Sequence, residues 1–419
     1  MKKYHDEAVS ILEKNDRGGY TVPTSSGLYP AQWNWDSCLV ALGWAQFNEE
    51  RAWQEIDSLF AAQWPDGMIP HIVFHGDDST YFPNSRVWAA GPSKRTSGIS
   101  QPPVAATVVR YLYEKFSTSF TRTKTAEIIP KLVRWHEWFY YARDQHRTGL
   151  VAIIHPWESG MDNSPVWDRA LSRVPEAASV AHLRRDTEFA ATEERPTGAD
   201  YNRYLHLLYT FRDHQYSPEK LFSITPFRIA DVGFNSIMAR ANKDLAFLRK
   251  EIGGYASAIE YPQAVEKLWD ETAGFYFSLD SVEDKPISKP GIGSFLPIFA
   301  DPGALARHPQ IETHLRRWLA KLNFGLCSFD PDRPEFEPQR YWRGPVWLIV
   351  NWMLMDGLRQ AGCDDIADRL LKASLQLVER HGFFEYFDPR AGKGLGGPDF
   401  SWTAAMYLFL EEEFATERR

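Results

Sequence analysis

Apolar residues recur along this chain at i, i+3, i+4 and i+7 through most of its length, the spacing of one buried face on a helix. Residues 36–47 (DSCLVALGWAQF) and 50–63 (ERAWQEIDSLFAAQ) read as consecutive helices. The same rhythm predicts helices over 102–117, 124–145, 200–214, 232–250, 257–270, 306–323, 345–361, 363–381 and 399–414. The opening residues, MKKYHDEAVSILEKN, read as a short amphipathic helix, because charges every few positions leave no apolar stretch of the kind a secretion signal needs. Connections are short and carry turn chemistry, as in WPDGMIPH, HPWESGMDNSP, WRGPVW and EYFDPRAGKGLGGPDF. Strand-like stretches are few, and Gly274–Leu279 (GFYFSL) looks like half of a small hairpin. Without an alternating β-α pattern a doubly wound sheet is disfavoured. Helix pairs repeated along the whole length predict an all-α toroid of helical hairpins, a single domain over 1–419, with function in the loops at one end.

Two segments break the rhythm. Residues 74–100 and 165–199 are polar, aperiodic and longer than ordinary connections, which makes both candidates for lids over a pocket. No apolar run approaches the ~20 residues a membrane-spanning helix needs. The 419 residues carry 47 Lys and Arg against 55 Asp and Glu, a net charge of −8, so a phosphate-tracking nucleic-acid surface and an anionic membrane surface are both disfavoured. Three cysteines, Cys38, Cys327 and Cys363, are odd in number and far apart, which predicts reduced thiols in a cytoplasmic protein and no disulfide framework. Nothing in the pattern excludes a homo-oligomer.

Aromatic residues make up 14% of the chain, 16 Trp among them, and many Trp stand beside Gly, Pro, Asp or Glu and outside apolar runs. A large aromatic core explains the count; a pocket walled by ring faces, as sugar-binding enzymes use against pyranose C–H groups, explains the placement as well. In GLYPAQWNWDS (27–37), Asp36 stands where a helix N-cap belongs, yet a cap does not call for Trp33 and Trp35 beside it. In HPWESGMDNSP (155–165), Trp157, Glu158 and Asp162 lie on a tight, non-helical path. A carboxyl aimed into a cavity beside an indole is desolvated and stays protonated near neutrality, as a general acid must. The plainer roles are a helix cap for Asp162 and a salt bridge for Glu158. In GFFEYFDP (382–389), Glu385 stands between aromatic residues, where a charge is costly unless paired or used.

Two isolated carboxyls in aromatic loops suggest glycoside hydrolysis, one protonating the leaving oxygen and the other activating water or attacking the anomeric carbon. No Gly-x-Ser-x-Gly, phosphate-binding glycine pattern, His-Glu-x-x-His or paired-cysteine metal site competes, so no metal or cofactor is expected. His71 and His155 are lone histidines, read as structural or substrate-positioning.

ESGMDNSP (158–165), EYFDP (385–389) ahead of a glycine-rich turn and FSW, QWNWDS (32–37) and RYWRGPVW (340–347) together resemble glycoside hydrolase family 63. The resemblance runs from about residue 20 to 410 and is strongest to the compact bacterial glucosylglycerate and mannosylglycerate hydrolases. More distantly it extends to family 37 trehalases and the larger family 63 α-glucosidases. It implies an (α/α)6 barrel and an inverting hydrolase, with Asp162 as general acid and Glu385 as the base that activates water. It also implies Trp35, Asp36, Trp157, Gly160, Met161, Tyr341, Trp342 and Trp347 around the hydrolysed sugar. Tyr29, Tyr81, Gln101, Arg203 and Tyr209 match positions that contact the glycerate part.

The implied substrate is 2-O-α-glucosyl- or mannosyl-glycerate, a small-molecule glycoside. Arg203 is the expected fork for its carboxylate, and Arg343 the other candidate, more simply read as a loop anchor. Inversion requires the two carboxyls to stand ~6.5–9.5 Å apart. The competing readings are an α-glucosidase for a short neutral disaccharide, a phosphorylase, which would need an anion site and no carboxylate base, and a sugar-binding protein without activity.

Overall fold

The computed structural model describes residues 2–90, 95–179, 181–253 and 264–415. Helix Asn34–Trp44 is buried at every position, so it has no wet face and must lie inside. It packs between Ala105–Phe116 and Ser401–Ala415, and the ring continues through Val232–Ile252, the short Pro297–Ala300 and Leu348–Gln360 before closing on Ser401–Ala415. Outer helices cover this ring. Lys2–Asn15 packs on Ser401–Ala415, Glu49–Ala61 on Asn34–Trp44, Ser119–Arg143 on two inner helices, and Asp364–His381 on Leu348–Gln360 and Ser401–Ala415. These outer helices bury a stripe only. Asp364–His381, for example, hides Ile366, Leu370, Leu377 and Val378 and turns its charges outward. The architecture is the (α/α)6 barrel.

Helix boundaries fall within a few residues of the sequence expectation, with two exceptions. The helix expected over 306–323 is divided into Gly303–Arg307 and Gln310–Leu319. Pro309 lacks an N–H and steers His308 out of the helical region, and so separates them. The helix expected over 257–270 lies outside the described residues as far as 263. From Val265 the chain makes one 3-10 turn, and strand Trp269–Asp270 then pairs with Phe275–Tyr276. That pair is the expected hairpin, but Leu279–Asp280 leaves it to form the centre of a second sheet between Ile229–Ala230 and Lys285–Pro286.

Two small antiparallel ladders shape one end of the barrel. Gln32–Trp33 pairs with Ile72–Val73, and Tyr386–Phe387 pairs with Gly394–Leu395. They fix the chain as it enters or leaves inner helices, so the side chains beside them are aimed by paired backbone. The three cysteines are buried and unpaired. Among the described residues no helix is long and apolar enough to cross a membrane.

Candidate active site

The segment 155–165 is held by hydrogen bonds at almost every residue. His155 caps the turn Pro156–Ser159: its Nδ1 accepts from the Trp157 N–H at 3.0 Å. Its Nε2 lies 3.0 Å from the Tyr204 carbonyl, which leaves the Nε2–H tautomer. Burial drives the imidazole down to about 3, so it stays neutral. Glu158 is taken up by a fully buried, bidentate pair with Arg143, at 2.7 and 3.1 Å to Oε1, and also accepts from the Ile154 N–H. The salt-bridge role is therefore the one it fills. Ser159 Oγ accepts from the Met161 N–H, the Trp167 indole N–H donates to the Met161 carbonyl, and the Tyr204 hydroxyl donates to the Asp162 carbonyl. Gly160 adopts φ +69°, and a β-carbon there would lie 2.6 Å from the Trp35 ring, so no other residue fits without moving that indole. The cap on the following turn is Ser164, whose Oγ accepts from the Val166 N–H, which leaves the Asp162 carboxyl free of that duty.

Glu385 is presented by the second ladder. Its backbone N–H donates to the Gly397 carbonyl, and its own carbonyl accepts from the Trp402 indole at 3.0 Å. The carboxylate is 2% exposed and faces Gly396, at φ +72°, where a β-carbon would overlap Oε2. Tyr29, from the other end of the chain, donates its hydroxyl to Glu385 Oε1 at 2.9 Å. Arg195 Nη1 stands 3.5 Å from Oε2, and Arg195 Nη2 donates to the Tyr29 hydroxyl at 2.8 Å. The guanidinium also lies over the Tyr341 ring, 4.4 Å from its centroid.

Asp162 and Glu385 line one cavity together with Asp36. It holds about 880 Å³ of space counted out to its open mouth. Burial pushes Asp162 up to about 7; the Arg195 charge pulls it back and the Glu385 charge adds to the rise. Glu385 is also raised by burial, but Arg195, the Tyr29 hydroxyl and the Gly397 N–H restrain it. Asp36 is raised well above the ordinary carboxyl range by burial, then by the Glu385 charge. It is not the N-cap: the helix begins at Asn34 with Trp33 in the cap position, so Asp36 lies in the first turn. The three acids thus have distinct environments. Only Glu385 combines a cation with a side-chain donor, so it is the one favoured as an anion.

The cavity walls include the expected Tyr29, Trp35, Asp36, Tyr81, Gln101, Trp157, Gly160 and Tyr341. Met161, Trp342 and Trp347 do not line the cavity. The Trp342 and Trp347 rings stack at 3.8 Å and 3°, and Trp347 stacks in turn on Tyr386, so these indoles support the wall and do not face the space. Arg203 and Tyr209 do not line the cavity. On helix Gly198–Asp213 the buried face carries Tyr201 and Tyr204, while Arg203 points away to pair with Glu176 at 3.0 Å and Tyr209 lies under the Arg212 guanidinium. Arg343 is a loop anchor, forked onto Asp168 and bound to Glu337. The cavity's arginines are Arg185 and Arg195, with Asp186 between them in sequence, all from the irregular segment 165–199. Tyr81 with Phe82 and Pro83 comes from the other irregular segment. Sequence reading missed Arg195 because it lies in aperiodic chain, and its partners Tyr29 and Glu385 lie 166 and 190 residues away. His71, also on the wall, stacks on Trp157 at 6.0 Å and is kept neutral by burial. Among the described residues no group of three or more His, Cys, Asp or Glu could hold a metal ion.

Residues 29–403 match a protein family described as "Mannosylglycerate hydrolase MGH1-like glycoside hydrolase domain". The chain is 50% identical over 412 residues to a mannosylglycerate hydrolase of Thermus thermophilus, covering 96% of this chain and 99% of that one. It is 33% identical over 431 residues to a glucosylglycerate hydrolase of Mycolicibacterium hassiacum, covering 96% of each. The crystal structure of a family 63 mannosylglycerate hydrolase from Thermus thermophilus in complex with Tris and D-glycerate superposes with a TM-score of 0.93 at 49% identity, covering 97% of this chain and 99% of that one. A neutral trehalase of Saccharomyces cerevisiae, at 18% identity and a TM-score of 0.60 over 94% of this chain and 73% of that one, shares the fold.

Proposed function

The chain belongs to the MGH1-like glycoside hydrolase family, and on that premise we propose that it hydrolyses 2-O-α-mannosylglycerate and its glucosyl counterpart with inversion at the anomeric carbon. Asp162, held protonated near neutrality, gives its proton to the glycosidic oxygen as the bond breaks. Glu385, kept as an anion by Arg195 and Tyr29, takes a proton from the water that attacks the opposite face of the sugar. Trp35, Trp157 and Tyr341 give the pyranose aromatic walls, and Asp36 accepts from its hydroxyls. The aglycone carboxylate meets Arg195, with Arg185 nearer the half-exposed rim, in the role first expected of Arg203.

The observation that carries this reading is the asymmetry between two carboxyls on one cavity. Tyr29 and Arg195 both contact Glu385, whereas Asp162 is raised to about 7 by its enclosure. The mannosyl compound is favoured because the relatives of higher identity, at 50% and 47%, are mannosylglycerate hydrolases and the glucosylglycerate hydrolase stands at 33%. The unpaired, buried cysteines suit a reducing compartment, so we place the reaction in the cytoplasm. Initial rates on mannosylglycerate, glucosylglycerate and a kojibiose-like disaccharide test the assignment. Both acidic glycosides should be hydrolysed, the mannosyl one faster. A neutral disaccharide turned over far faster than either would refute the acidic-aglycone reading.

A further inference from the structure

Arg195 is 5% exposed and is shared among several partners. Two of them, Glu385 and Tyr29, belong to the proposed chemistry. The third does not: Asp186 Oδ2 accepts from Arg195 Nε at 3.3 Å. The same oxygen accepts from Arg184 Nη2 at 2.6 Å, while Oδ1 accepts from Arg184 Nε at 3.0 Å. Arg184 is itself fixed, with Nη1 on the Pro196 carbonyl at 3.1 Å and its guanidinium over the Tyr201 ring. Asp186 is thus clamped firmly by Arg184, which does not line the cavity, and touches Arg195, which does, by one long contact. Burial opposes its charge, but the two arginines hold its carboxyl below the ordinary range, so it is an anion on the cavity wall.

A carboxylate on the wall of a pocket that takes an acid looks like a defect. A buried guanidinium facing a carboxylate in a poorly hydrated cavity holds it strongly, and the acid released by hydrolysis carries the same carboxylate as the aglycone. Glu385 offsets part of the Arg195 charge from 3.5 Å; without Asp186 the remainder would retain that product.

We propose that Asp186 is a specificity-determining counter-ion, which offsets part of the Arg195 charge so that a small monocarboxylate aglycone is accepted and, once cleaved, let go. This rests on the acidic-aglycone reading above. Arg184 is the positioning residue: by occupying both Asp186 oxygens it limits how far Asp186 can close on Arg195.

The test is inhibition by D-glycerate and by glycerol, its uncharged analogue, measured on the full chain during hydrolysis of the acidic glycoside. In Asp186→Asn the ratio of glycerate to glycerol affinity should rise on the order of tenfold, because a charge is removed beside Arg195. Asp186→Glu should keep the ratio near the wild-type value. Arg184→Met should lower it, since Asp186 then turns both oxygens to Arg195; this variant also decides the matter if Asp186→Asn does not fold. A ratio that is unchanged or falls in Asp186→Asn, as direct contact between Asp186 and an aglycone hydroxyl would produce, overturns the proposal, as does a ratio that fails to fall in Arg184→Met. A wild type that neither cleaves the acidic glycoside nor is inhibited by glycerate defeats the functional reading itself.

Discussion

Replacing Tyr29 by Phe removes one oxygen and leaves the ring on its neighbours Trp33 and Phe400, at 5.1 and 5.9 Å. The Tyr29 hydroxyl donates to Glu385 Oε1 at 2.9 Å and accepts from Arg195 at 2.8 Å. A hydrogen bond to a charged group is worth about 1.5–3 kcal/mol, and each pKa unit corresponds to about 1.4 kcal/mol, so loss of the Tyr29 donor raises Glu385 by about 1–2 units. Arg195 and the Gly397 N–H stay in place and hold the shift toward the lower figure, about one unit. The sign follows from the role. As the proposed base, Glu385 works as an anion, so a raised pKa moves the acidic limb of the kcat/KM profile upward by about one pH unit. The alkaline limb is assigned to Asp162, which as the proposed acid must be protonated and which burial pushes up to about 7, and it should barely move. The profile therefore narrows from the acid side. Steady-state kcat/KM against pH for wild type and Tyr29→Phe, with thermal unfolding to confirm the fold, measures this. An acidic limb that stays in place or moves downward would refute the claim that Tyr29 stabilises the Glu385 anion.

Asp162→Asn and Glu385→Gln should each lower kcat by about 10³-fold with Tm close to wild type, since general acid or base catalysis contributes ~10²–10⁴; a rate within tenfold of wild type in either would contradict its assigned role. Glu158→Gln leaves Arg143 buried, at 2% exposure, without its counter-charge, and should cost about 3–5 kcal/mol in urea unfolding. The double variant Arg143→Met, Glu158→Leu should regain most of that loss, and a single variant that unfolds like wild type would show that the pair does not hold the Asp162 segment.

Much of this fold is written in local pattern. The 3.6-residue rhythm marks inner and outer helices alike, and what separates them, burial on every side of Asn34–Trp44 against a single stripe on Asp364–His381, is visible in the residues themselves. The break at Pro309 was equally local, and the expected 306–323 helix overran it. The site was legible where chemistry and backbone coincide in one short stretch, as in Trp157–Gly160–Asp162 and Glu385–Gly396. Arg195 had no such signal. It lies in aperiodic chain, and what marks it is Tyr29 on one side and Glu385 on the other, a meeting that only the closed ring produces. Arg203 had the better sequence context, on a helix with Tyr204, but one helical position decides whether a side chain faces the cavity or Glu176. Trp342 and Trp347 lie in the right motif yet stack on one another behind the wall, a distinction carried by packing and not by spacing.

The proposed mechanism turns on Asp162 and Glu385 acting across the sugar, one on the leaving oxygen and the other on water. What decides it is the anomeric configuration of the first sugar released, followed by proton NMR from the start of hydrolysis and ahead of mutarotation. Inversion of the α-linked substrate predicts that the β-anomer accumulates first and the α-anomer follows only as mutarotation proceeds. Initial release of the α-anomer would mean a covalent intermediate on one of the two carboxyls, and the assignment of Asp162 as acid and Glu385 as base to water would be wrong.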